Sequence, residues 1–482
     1  MNGQKGTDPP LRVCVLLPSY EGSSVDYRHY DPPRDLAPLL PGDEVHHEYL
    51  KKCSTFRQIR DLRRQRFDIY VNLCEGYLEW DVPSVDVIMA LEHFRLPHTG
   101  PTIPLYNLTK DRMKQVAAAE GVRYPNFALA ANEDEIAAAA AALRFPLFVK
   151  PNAAGDSLGV HEDALAHTPS ELKRAALAVI AEHDEALIEE YVDGREFTVL
   201  VLADAEEQAG PLVLDPIEFV FPPNQRFKTY ELKVREYHPE ANRPCADPAL
   251  SDRLKDLARR LFLGFGAADY CRIDLRMDAD GELFFLEANF TCGIFYPEGS
   301  YGSADYILQA NRFPPSLFLK KMIARGLARH RRRRCVYRVR PCAGGGFGIF
   351  ATVQLEKGEV VFRGEERPQR LVSLAHVLAN WAPGSIETFR RYAYPLGRGA
   401  YVLWADDPAE WAPQNHSCAP NTAFSGLNVI ALRPIAPGEE LTLDYSSFCD
   451  ENMREFACRC GAPACRRLIR GRSRSHAPGE RS

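Results

Sequence analysis

The 482-residue sequence lacks the features that mark membrane, secreted and nucleic-acid-binding proteins. No run approaches the roughly 20 apolar residues that cross a bilayer, and the polar start, Met1–Pro10, has no apolar region of a secretory signal. Opposite charges nearly balance, with 59 Lys and Arg against 65 Asp and Glu, so the formal net charge of −6 does not favour nucleic acid as a partner. We therefore expect a cytoplasmic protein without a membrane span.

The length implies more than one folding unit, because a single hydrophobic core stops growing at roughly 250–300 residues. The sequence changes character in the region 323–334, after which come short apolar runs, many Gly and Pro, and few long helical patterns. A basic run, Arg325–Arg340, starts in the same region. Because charge runs are usually solvated, we interpret this region as a linker and the terminal 472–482 as a disordered tail.

Strand and helix signals alternate over the first part of the chain. Apolar runs at Arg12–Leu17 and Phe67–Leu73 stop at polar turns that contain Gly, which is typical of a parallel α/β sheet with ligands at the carboxyl ends of its strands. Further strands are predicted at Pro146–Lys150, Ala186–Val192, Glu196–Leu202, Asp269–Met277 and Glu282–Phe290, and helices at Thr109–Glu120, Glu133–Leu143 and Asp247–Gly264.

Oxygen ligands for a metal ion are predicted on a hairpin formed around an Asp-Gly turn. Asp274 lies in the first strand, whereas Glu287 and Asn289 lie two residues apart in the second and so point to one face. Oxygen donors of this kind suit Mg²⁺, which also binds phosphate. Arg272, two residues from Asp274, shares that face and can stabilise an anionic transition state. The alternative is a solvated hairpin that carries these carboxylates by chance.

A loop rich in Gly and Ser follows the strand that ends at Lys150, in the segment FPLFVKPNAAGDSLGV. Such a loop can fold over phosphates and donate backbone N–H groups to them. Together with LIEEYVDGREFTV, DYCRIDL and FFLEANF, in this order, the segment resembles the ATP-grasp fold, specifically D-alanine–D-alanine ligases, over about residues 12–310. The resemblance implies that a carboxylate and ATP give an acyl phosphate, which an amine attacks to form an amide.

The same resemblance implies a role for each matching residue. Magnesium is expected at Asp274, Glu287 and Asn289, with Arg272 as a catalytic residue over the acyl-transfer centre. Lys150 is expected at the ATP phosphates, Glu189–Val192 at the adenine and Glu196 at the ribose. The full set implied for ATP is Arg112, Lys150, Ser157, Glu189, Glu190, Tyr191, Val192, Glu196 and Lys233.

The sequence departs from the ligase family at several places. Arg112 stands where the family has a lysine, and Val234 where it has a tyrosine. The early glycine-rich motif with a Glu-Arg pair, which grips the ammonium of the first amino acid, is replaced by Ser19–Ser24. The acceptor loop after Asn289 reads FTCGIFYPEG. We therefore expect an amino-acid or peptide substrate other than D-alanine.

Thirteen cysteines are present, and Cys458, Cys460 and Cys465 cluster near the end of the chain. Without a secretion signal, clustered cysteines are typical of metal ligands rather than disulfides. Tetrahedral Zn²⁺ needs a fourth ligand, for which Cys418 is the obvious candidate and His416 the alternative. Unpaired surface thiols are the competing interpretation.

Three motifs precede this cluster: GGGFG ending at Gly348, NHSCAPN starting at Asn415, and GEELTLDY ending at Tyr445. In this order they resemble SET-domain methyltransferases with a post-SET zinc module, over about residues 336–471. The resemblance implies a threaded pseudoknot and a channel in which the catalytic Tyr445 meets the lysine of a protein or peptide. It also implies S-adenosylmethionine at Gly346, Phe347, Gly348, Asn415 and His416, and zinc at Cys418, Cys458, Cys460 and Cys465.

We predict an α/β ATP-grasp fold, consisting of a preceding α/β domain and two α+β lobes, followed by a mostly-β SET domain with a pseudoknot. The expected parts are a pre-ATP-grasp domain at 1–106, an ATP-grasp domain at 107–322, a basic linker at 323–334, a SET domain at 335–447, a post-SET segment at 448–471 and a tail at 472–482. The main hypothesis is a bifunctional ligase and lysine methyltransferase. The alternative is a methyltransferase whose first half binds ATP or recruits substrate without catalysis. A chromatin factor ranks below both, and the oligomeric state stays open.

Overall fold

The computed structural model describes residues 9–23, 31–76, 81–106, 108–153, 160, 162–204, 210–222, 226–227, 241–266, 269–333, 336–342, 346–366, 369–397, 399–404, 414–453 and 455–471. Contacts divide the chain into two compact units, Met1–Arg333 and Arg334–Ser482, which have separate hydrophobic cores. Within the described ranges, no helix has both the length and the apolar character needed to span a bilayer.

The first unit opens with a small parallel sheet. Its strands are β1 (Arg12–Pro18), β2 (Glu44–Leu50) and β3 (Ile69–Asn72) in the order β2-β1-β3, and its helices are α1 (Thr55–Leu62), α2 (Val85–His93) and α3 (Ile103–Tyr106). Strand β1 is apolar from Val13 to Leu17, where alternate residues belong to different core clusters on its two faces. The strands predicted at Arg12–Leu17 and Phe67–Leu73 are confirmed within two residues.

An antiparallel sheet follows, preceded by α4 (Lys110–Ala119). Its strands β4 (Phe127–Ala130), β5 (Leu147–Pro151), β6 (Leu165–Ala166) and β7 (Ala186–Glu190) have the order β4-β7-β5-β6 and are joined by α5 (Glu133–Ala142) and α6 (Pro169–His183). Side chains cap both connecting helices, since Asn132 accepts the N–H of Glu135 and Thr168 accepts that of Glu171. Both helices lie where the sequence places good helix formers.

The third sheet carries the predicted metal-binding hairpin. It contains β8 (Arg195–Leu202), β9 (Leu212–Val213), β10 (Ile217–Phe219), β11 (Asn242–Pro244), β12 (Tyr270–Met277) and β13 (Leu283–Asn289), in the order β11-β10-β8-β12-β13 with β9 beside β8, and α7 (Pro248–Gly264) precedes β12. Cys271, Ile273 and Leu275 are fully buried in one core cluster with residues of α7. Because side chains alternate along a strand, Arg272 and Asp274 point to the opposite face.

Two helices complete the first unit, α8 (Ser303–Ala310) and α9 (Pro315–Arg333). The expectation of a solvated linker at 323–334 is wrong over its described part, because α9 runs through it. Its basic side chains take part in packing. Arg325 is buried, and Arg329 pairs with Asp269 and donates to the carbonyl of His98 at 2.6 Å. The basic residues of this segment therefore hold a helix against the rest of the unit, which a solvated linker would not do.

The second unit consists mainly of short strands. They are β14 (Tyr337–Pro341), β15 (Phe347–Ala351), β16 (Val360–Phe362), β17 (Gln369–Ser373), β18 (Tyr394–Gly397), β19 (Ala400–Trp404), β20 (Thr422–Ser425), β21 (Asn428–Ala431), β22 (Glu440–Leu441), β23 (Phe456–Ala457) and β24 (Leu468–Ile469), with helices α10 (Leu374–Asn380) and α11 (Pro383–Tyr392). The sheets are β14-β15-β22, β16-β21-β20, β17-β19-β18 and β23-β24. The first three contribute residues to one core.

Near the centre of this unit, the segment before β20 lies beside the segment after β22. A parallel bridge pairs His416 with Leu443, and the N–H of Ser417 donates to the carbonyl of Leu443 at 2.9 Å. The N–H of Leu443 donates in turn to the carbonyl of Asn415 at 3.0 Å. This pairing brings the NHSCAPN motif next to Tyr445.

Candidate active sites

The four predicted hairpin residues share one face of the β12–β13 pair. Arg272 lies opposite Asn289 and Asp274 opposite Glu287 in the antiparallel register, with an irregularity after Asp274. In the turn, Gly281 has a φ of +78°, a left-handed conformation that glycine adopts without steric cost. The predicted hairpin and its shared polar face are therefore confirmed.

Arg272 and Asp274 form a bidentate ion pair on this face. Nε of Arg272 lies 3.2 Å from Oδ1 of Asp274, and Nη2 lies 3.0 Å from Oδ2. Burial alone would lower the pKa of Arg272, but the carboxylate of Asp274 raises it. The guanidinium therefore stays charged and offsets the carboxylate, as expected for a buried fork-shaped pair.

A buried carboxylate, that of Glu189, contacts two lysines from neighbouring elements. Nζ of Lys150 lies 2.5 Å from Oε1, and Nζ of Lys114 lies 2.9 Å from Oε2. Burial alone would raise the pKa of Glu189, but the two ammonium groups lower it to about 2. Lys150 and Glu189 were predicted at the ATP site, whereas Lys114 was not.

Helix α4 connects this carboxylate with the hairpin. Lys110 and Lys114 lie one turn apart and are both buried, and Nζ of Lys110 is 3.7 Å from Oε2 of Glu287. Asn152 fixes the start of the helix: its Nδ2 donates to Oδ1 of Asp111 at 3.0 Å, and its carbonyl accepts the N–H of Lys110 at 3.0 Å. One helix thus orients lysines toward two predicted parts of the site.

Glu196, predicted at the ribose, is buried beside Arg276. Nε of Arg276 lies 3.2 Å from Oε2 of Glu196, and Nη1 donates to the carbonyl of Val192 at 2.7 Å. The guanidinium also lies over the ring of Tyr191, 4.9 Å from its centroid. Arg276 therefore joins the side chain of Glu196 to the predicted adenine-binding segment.

The remaining residues predicted for ATP are more dispersed. The side chain of Glu190 points toward Arg144, whose Nη2 lies 2.9 Å from Oε2, and Arg144 is exposed. Arg112 is exposed on α4. Ser157 and Lys233 lie outside the described residues.

A polar cluster lies where β1 and β3 end, at the place of the departure from the ligase motif. Arg34 is fully buried, and it donates to Oδ1 of Asp31 at 2.6 Å and to Oε1 of Glu75 at 2.9 Å. Its guanidinium lies 4.7 Å from the ring centroid of Tyr296. Tyr20 donates to Oδ2 of Asp31 at 2.6 Å. Residues distant in sequence thus form one cluster at the carboxyl ends of two parallel strands.

Asp305, at the start of α8, organises the loop after β13. Its carboxylate accepts the N–H of Phe295 at 2.8 Å and that of Gly302 at 3.1 Å. Burial raises the pKa of Asp305 to about 6 although these hydrogen bonds oppose the shift. Phe295 has a φ of +67°, so the loop holds a side-chain-bearing residue in the left-handed region.

In the second unit, the predicted glycine turn lies next to Asn415. Nδ2 of Asn415 donates to the carbonyl of Phe347 at 3.1 Å and to Oε1 of Glu440 at 2.8 Å. A Cβ added at Gly348 would clash with Oε1 of Glu440 and lie 2.8 Å from Sγ of Cys342 and 2.9 Å from Nδ2 of Asn415, so these side chains would have to shift. Phe347 is 60% exposed. These residues form a cradle with an accessible aromatic face.

His416 lies between the cysteines and Tyr445. The N–H of Tyr445 donates to Nδ1 of His416 at 3.1 Å, and Nε2 lies 3.4 Å from Sγ of Cys418. Because Nδ1 accepts a hydrogen bond, Nε2 carries the proton and faces the sulfur. The hydroxyl of Tyr445 donates to the carbonyl of Gln414 at 2.7 Å, and burial raises its pKa. The phenol is therefore neutral and held in one direction.

The four predicted thiols converge. The sulfur atoms of Cys418, Cys458, Cys460 and Cys465 all lie within 4.8 Å of one another, and those of Cys418 and Cys458 are 3.9 Å apart. Zn–S bonds of about 2.3 Å in a tetrahedron fit such separations. Cys418, rather than His416, completes this group of four.

A pocket with a cavity volume of about 70 Å³, open to solvent on one side, lies beside Tyr445. Aromatic rings form much of its wall, and those of Tyr394 and Phe448 stack with centroids 5.8 Å apart. Tyr392 and Tyr401 line it as well. Tyr401 also belongs to a buried hydrophobic cluster, so it both packs in the interior and lines the pocket.

Several residues of these sites had only weak sequence signals, or none. Lys114 has a weak signal: Lys110 lies four residues before it on the same predicted helix, so the two lysines share one face. Arg276 also has one, because it continues the polar face of β12. Arg34 and Asp305 have none, since their partners come from distant parts of the chain.

Two family models match separate parts of the chain. Residues 115–296 match the family described as D-ala D-ala ligase C-terminus, and residues 346–446 match the SET domain. The first unit thus contains an ATP-grasp ligase module, and the second contains a SET domain.

Individual relatives also match a part of the chain. An uncharacterized protein of Sinorhizobium fredii is 32% identical over 229 residues, which cover 46% of this chain and 65% of that protein. The D-alanine--D-alanine ligase of Pseudomonas fluorescens is 33% identical over 207 residues, which cover 42% of this chain and 60% of that protein. The chain therefore spans less than two thirds of the length of these relatives.

Solved structures show the same fold. The D-alanine-D-alanine ligase from Coxiella burnetii superposes with a TM-score of 0.50 at 15% identity, covering 67% of this chain and 97% of that one. D-alanyl-alanine synthetase A from Vibrio cholerae has a TM-score of 0.50 at 17% identity, covering 67% and 99%. The chain thus joins an ATP-grasp module of the D-alanine–D-alanine ligase type to a SET domain.

Proposed function

We propose that the chain is a bifunctional enzyme: an ATP-dependent carboxylate–amine ligase and an S-adenosylmethionine-dependent protein-lysine N-methyltransferase, located in the cytoplasm. The observation that carries this proposal is that each unit gathers its own nearly complete set of reactive groups. In the first unit, oxygen donors share the hairpin face near buried lysines. In the second, the glycine turn, Asn415, Tyr445 and four thiols lie close together.

In the ligase, Asp274, Glu287 and Asn289 would hold Mg²⁺. The ion, when bound, neutralises phosphate charge and keeps the phosphates in position. Arg272 carries a fixed positive charge on the same face and stabilises the charge that develops at the acyl-transfer centre. Lys150 contacts the phosphates, and its pairing with a buried carboxylate fixes the direction of its ammonium group.

The nucleotide base and sugar are bound by residues from the end of β7 to the start of β8. Strand β7 pairs with β5, the strand that carries Lys150. The backbone of Glu189–Val192 binds the adenine edge, and the carboxylate of Glu196 binds the ribose. Arg276 positions Glu196 through their buried ion pair. The side chain of Glu190 takes no part in this binding, because it pairs with Arg144 at the surface.

The acid and amine substrates are amino acids or peptides other than D-alanine. The support is the cluster of Asp31, Arg34 and Glu75 at the carboxyl ends of β1 and β3, where the family's ammonium-gripping motif is absent. A buried guanidinium between carboxylates offers a different set of charges to a substrate than that motif does.

The ligase is tested by ADP release with Mg²⁺-ATP and a panel of amino acids and dipeptides. We expect one acid–amine pair to stimulate release, and Glu287→Ala to lower the rate by about 100-fold or more through loss of an oxygen donor. Glu282→Ala is the matched control, because Glu282 is a half-exposed carboxylate of the same hairpin that pairs with Arg123. Equal rates in the two variants would contradict the assignment.

In the methyltransferase, the neutral amine of a lysine attacks the methyl carbon of S-adenosylmethionine, the C–S bond breaks, and S-adenosylhomocysteine leaves. Most of the catalysis comes from alignment of the two reactants. The cofactor binds at Gly346–Gly348, Asn415 and His416, and Tyr445 positions the amine. The pairing around His416 would belong to a threaded pseudoknot, and the four thiols would hold a zinc ion that stabilises the segment beside the lysine channel.

Transfer of labelled methyl groups to a library of lysine-containing peptides tests this half. We expect Tyr445→Phe to change the rate strongly, because its hydroxyl is held at the cavity wall. Tyr337→Phe removes a hydroxyl from a buried tyrosine of the same unit that does not line the cavity, and should leave the rate unchanged. Equal effects of the two substitutions would refute the assignment of Tyr445.

A second candidate is a methyltransferase whose ATP-grasp half binds ATP without turnover. The observation in its favour is the bidentate pair of Arg272 with Asp274, which already offsets the charge of one predicted magnesium ligand. Tight ATP binding without ADP release for any member of the panel would favour this candidate.

A further inference from the structure

The cavity beside Tyr445 includes one carboxylate, that of Asp450, among its described lining residues. The hydroxyl of Tyr401 donates to Oδ2 of Asp450 at 2.5 Å, and Nδ2 of Asn452 donates to the hydroxyl oxygen of Tyr401 at 2.7 Å. Oδ1 of Asp450 accepts the N–H of Asn452 at 3.0 Å. These hydrogen bonds hold the carboxylate in one place in the cavity wall.

The charged residues of the cavity differ in depth. Tyr401 is only 3% exposed and Asp450 is half-buried, whereas Arg390 and Arg391 are exposed. Arg391 also pairs with Glu387 at 3.4 Å. Solvent and salt screen exposed charges more than buried ones. The charges of the two exposed guanidinium groups are therefore screened more strongly than that of the half-buried carboxylate.

The aromatic walls also suit a cation. Tyr394 and Phe424 have ring centroids 4.5 Å apart, and Trp404 stacks on Phe424 with centroids 6.5 Å apart. Such ring faces attract an ammonium group, but they accept a neutral alkyl chain as well. The carboxylate, in contrast, attracts the ammonium group and does not attract a neutral alkyl chain.

We propose that Asp450, positioned by Tyr401 and Asn452, is the residue that selects the alkylammonium side chain of lysine in this cavity. The inference rests on the proposed methyltransferase function of the second unit. Asp450 acts when the substrate enters. The ammonium then gives its proton to solvent water before the amine attacks the methyl group, so the carboxylate aids binding and does not aid the transfer itself.

Full-length Asp450→Asn tests this role, because the amide keeps the shape and one acceptor oxygen but removes the charge. With the lysine peptide library we expect KM to rise about tenfold, the usual scale for a lost charged hydrogen bond, with kcat within about twofold of wild type. Tyr401→Phe, which keeps the ring but releases the carboxylate, should raise KM by a smaller factor. Glu455→Gln is the matched control, since Glu455 is an exposed carboxylate five residues away that pairs with Arg470.

Inhibition by n-butylammonium and by neutral n-butanol separates charge selection from a structural role. We expect Asp450→Asn to weaken inhibition by butylammonium about tenfold and to leave that by butanol unchanged. A wild-type KM with wild-type butylammonium inhibition overturns the inference, as does a fall in kcat with both binding measures intact.

Absence of methyl transfer from the wild type to any lysine peptide would refute the proposed function and not this inference. Equilibrium dialysis of butylammonium against the full-length wild type and Asp450→Asn would then decide it. Weaker binding to the variant would support the selection of an alkylammonium, and equal binding would overturn it.

Discussion

The predicted sites of the two units differ in how their charges are balanced. In the first unit, three described carboxylates of the predicted site have partners of opposite charge: Asp274 has Arg272, Glu189 has two lysines, and Glu287 has Lys110. In the cysteine group of the second unit, the donors are four thiols of one kind within 4.8 Å. Crowded thiolates repel one another unless a cation joins them. We therefore expect the first site to form before its ligand arrives and the second to need a metal ion.

Removal of metal is the largest expected effect and tests this difference directly. Structural zinc contributes an apparent binding free energy of about 10–16 kcal/mol in small zinc modules. We expect a chelator to abolish hydrogen-exchange protection over 455–471 and to stop methyl transfer, while protection of β7 and β8 in the first unit persists. Cys458→Ser should reproduce the loss, and Cys53→Ser, at an exposed thiol, should not. Equal protection with and without chelator would contradict a zinc-dependent fold.

Loss of charge balance in the first unit is the next largest effect. Glu189→Gln leaves Lys114 and Lys150 buried without their carboxylate, which costs about 3–5 kcal/mol of unfolding free energy for a broken buried pair. The pKa of Glu189 is lowered to about 2 from an ordinary value of 4.5. Its stabilising contribution is therefore complete above about pH 4.5 and disappears as the pH falls toward 2.

Urea unfolding of wild type and Glu189→Gln should show this difference at pH 7 and a smaller one below pH 4.5. Glu190→Gln is the matched control, since the neighbouring carboxylate pairs with an arginine at the surface and its loss should cost at most about 1 kcal/mol. If the two substitutions cost the same, the buried lysine pair does not stabilise the site.

Asp305 is the exception within the first unit, a buried carboxyl group bound mainly by backbone N–H groups. Its pKa is raised to about 6 from an ordinary value of 3.8, so the folded state binds the proton more tightly than the unfolded state does. Its contribution to stability is complete below about pH 3.8 and is lost as the pH rises through about 6. This difference corresponds to about 3 kcal/mol.

Asp305→Asn should remove this pH dependence from the unfolding free energy measured between pH 4 and 7. Asp215→Asn, at an exposed carboxylate that pairs with Lys255, should retain the wild-type slope. An unchanged slope in Asp305→Asn would show that the carboxylate is ionised in the folded protein at all these pH values.

Close packing, rather than charge, defines the glycine turn of the second unit, and it gives the smallest expected effect. Gly348→Ala would push a methyl group against Cys342 and Asn415, and overpacking costs about 1–3 kcal/mol. We expect the dissociation constant of S-adenosylmethionine to rise about tenfold, measured by calorimetry. Gly384→Ala, where an added Cβ meets nothing within 4 Å, should leave it unchanged.

The sequence predicted those parts that depend on local pattern. Alternation along β12 and β13 was sufficient to predict the shared face of Asp274, Glu287 and Asn289, because strand periodicity fixes it. The order of the motifs was sufficient to predict the SET domain and the position of the NHSCAPN segment beside Tyr445. Elements such as the helices predicted at Thr109–Glu120 and Asp247–Gly264 were confirmed within one residue at each end.

The parts that were missed depend on contacts between distant residues. Arg34 meets Glu75 only because two parallel strands end side by side, and no local pattern records that. The basic composition of α9 is typical of a linker, but Arg329 forms an ion pair with Asp269, just before β12, and this pair holds the helix in place. Pairing of charges across elements is a tertiary property, which composition cannot supply.

The central claim is that two independent active sites lie on one chain, and a crossed assay of full-length protein tests it most directly. ADP release and methyl transfer are both measured for wild type, Glu287→Ala, Tyr445→Phe and the double variant. The account predicts that each single variant loses its own activity and retains the other, and that only the double variant loses both. Full retention of ADP release by Glu287→Ala, together with full retention of methyl transfer by Tyr445→Phe, would contradict it.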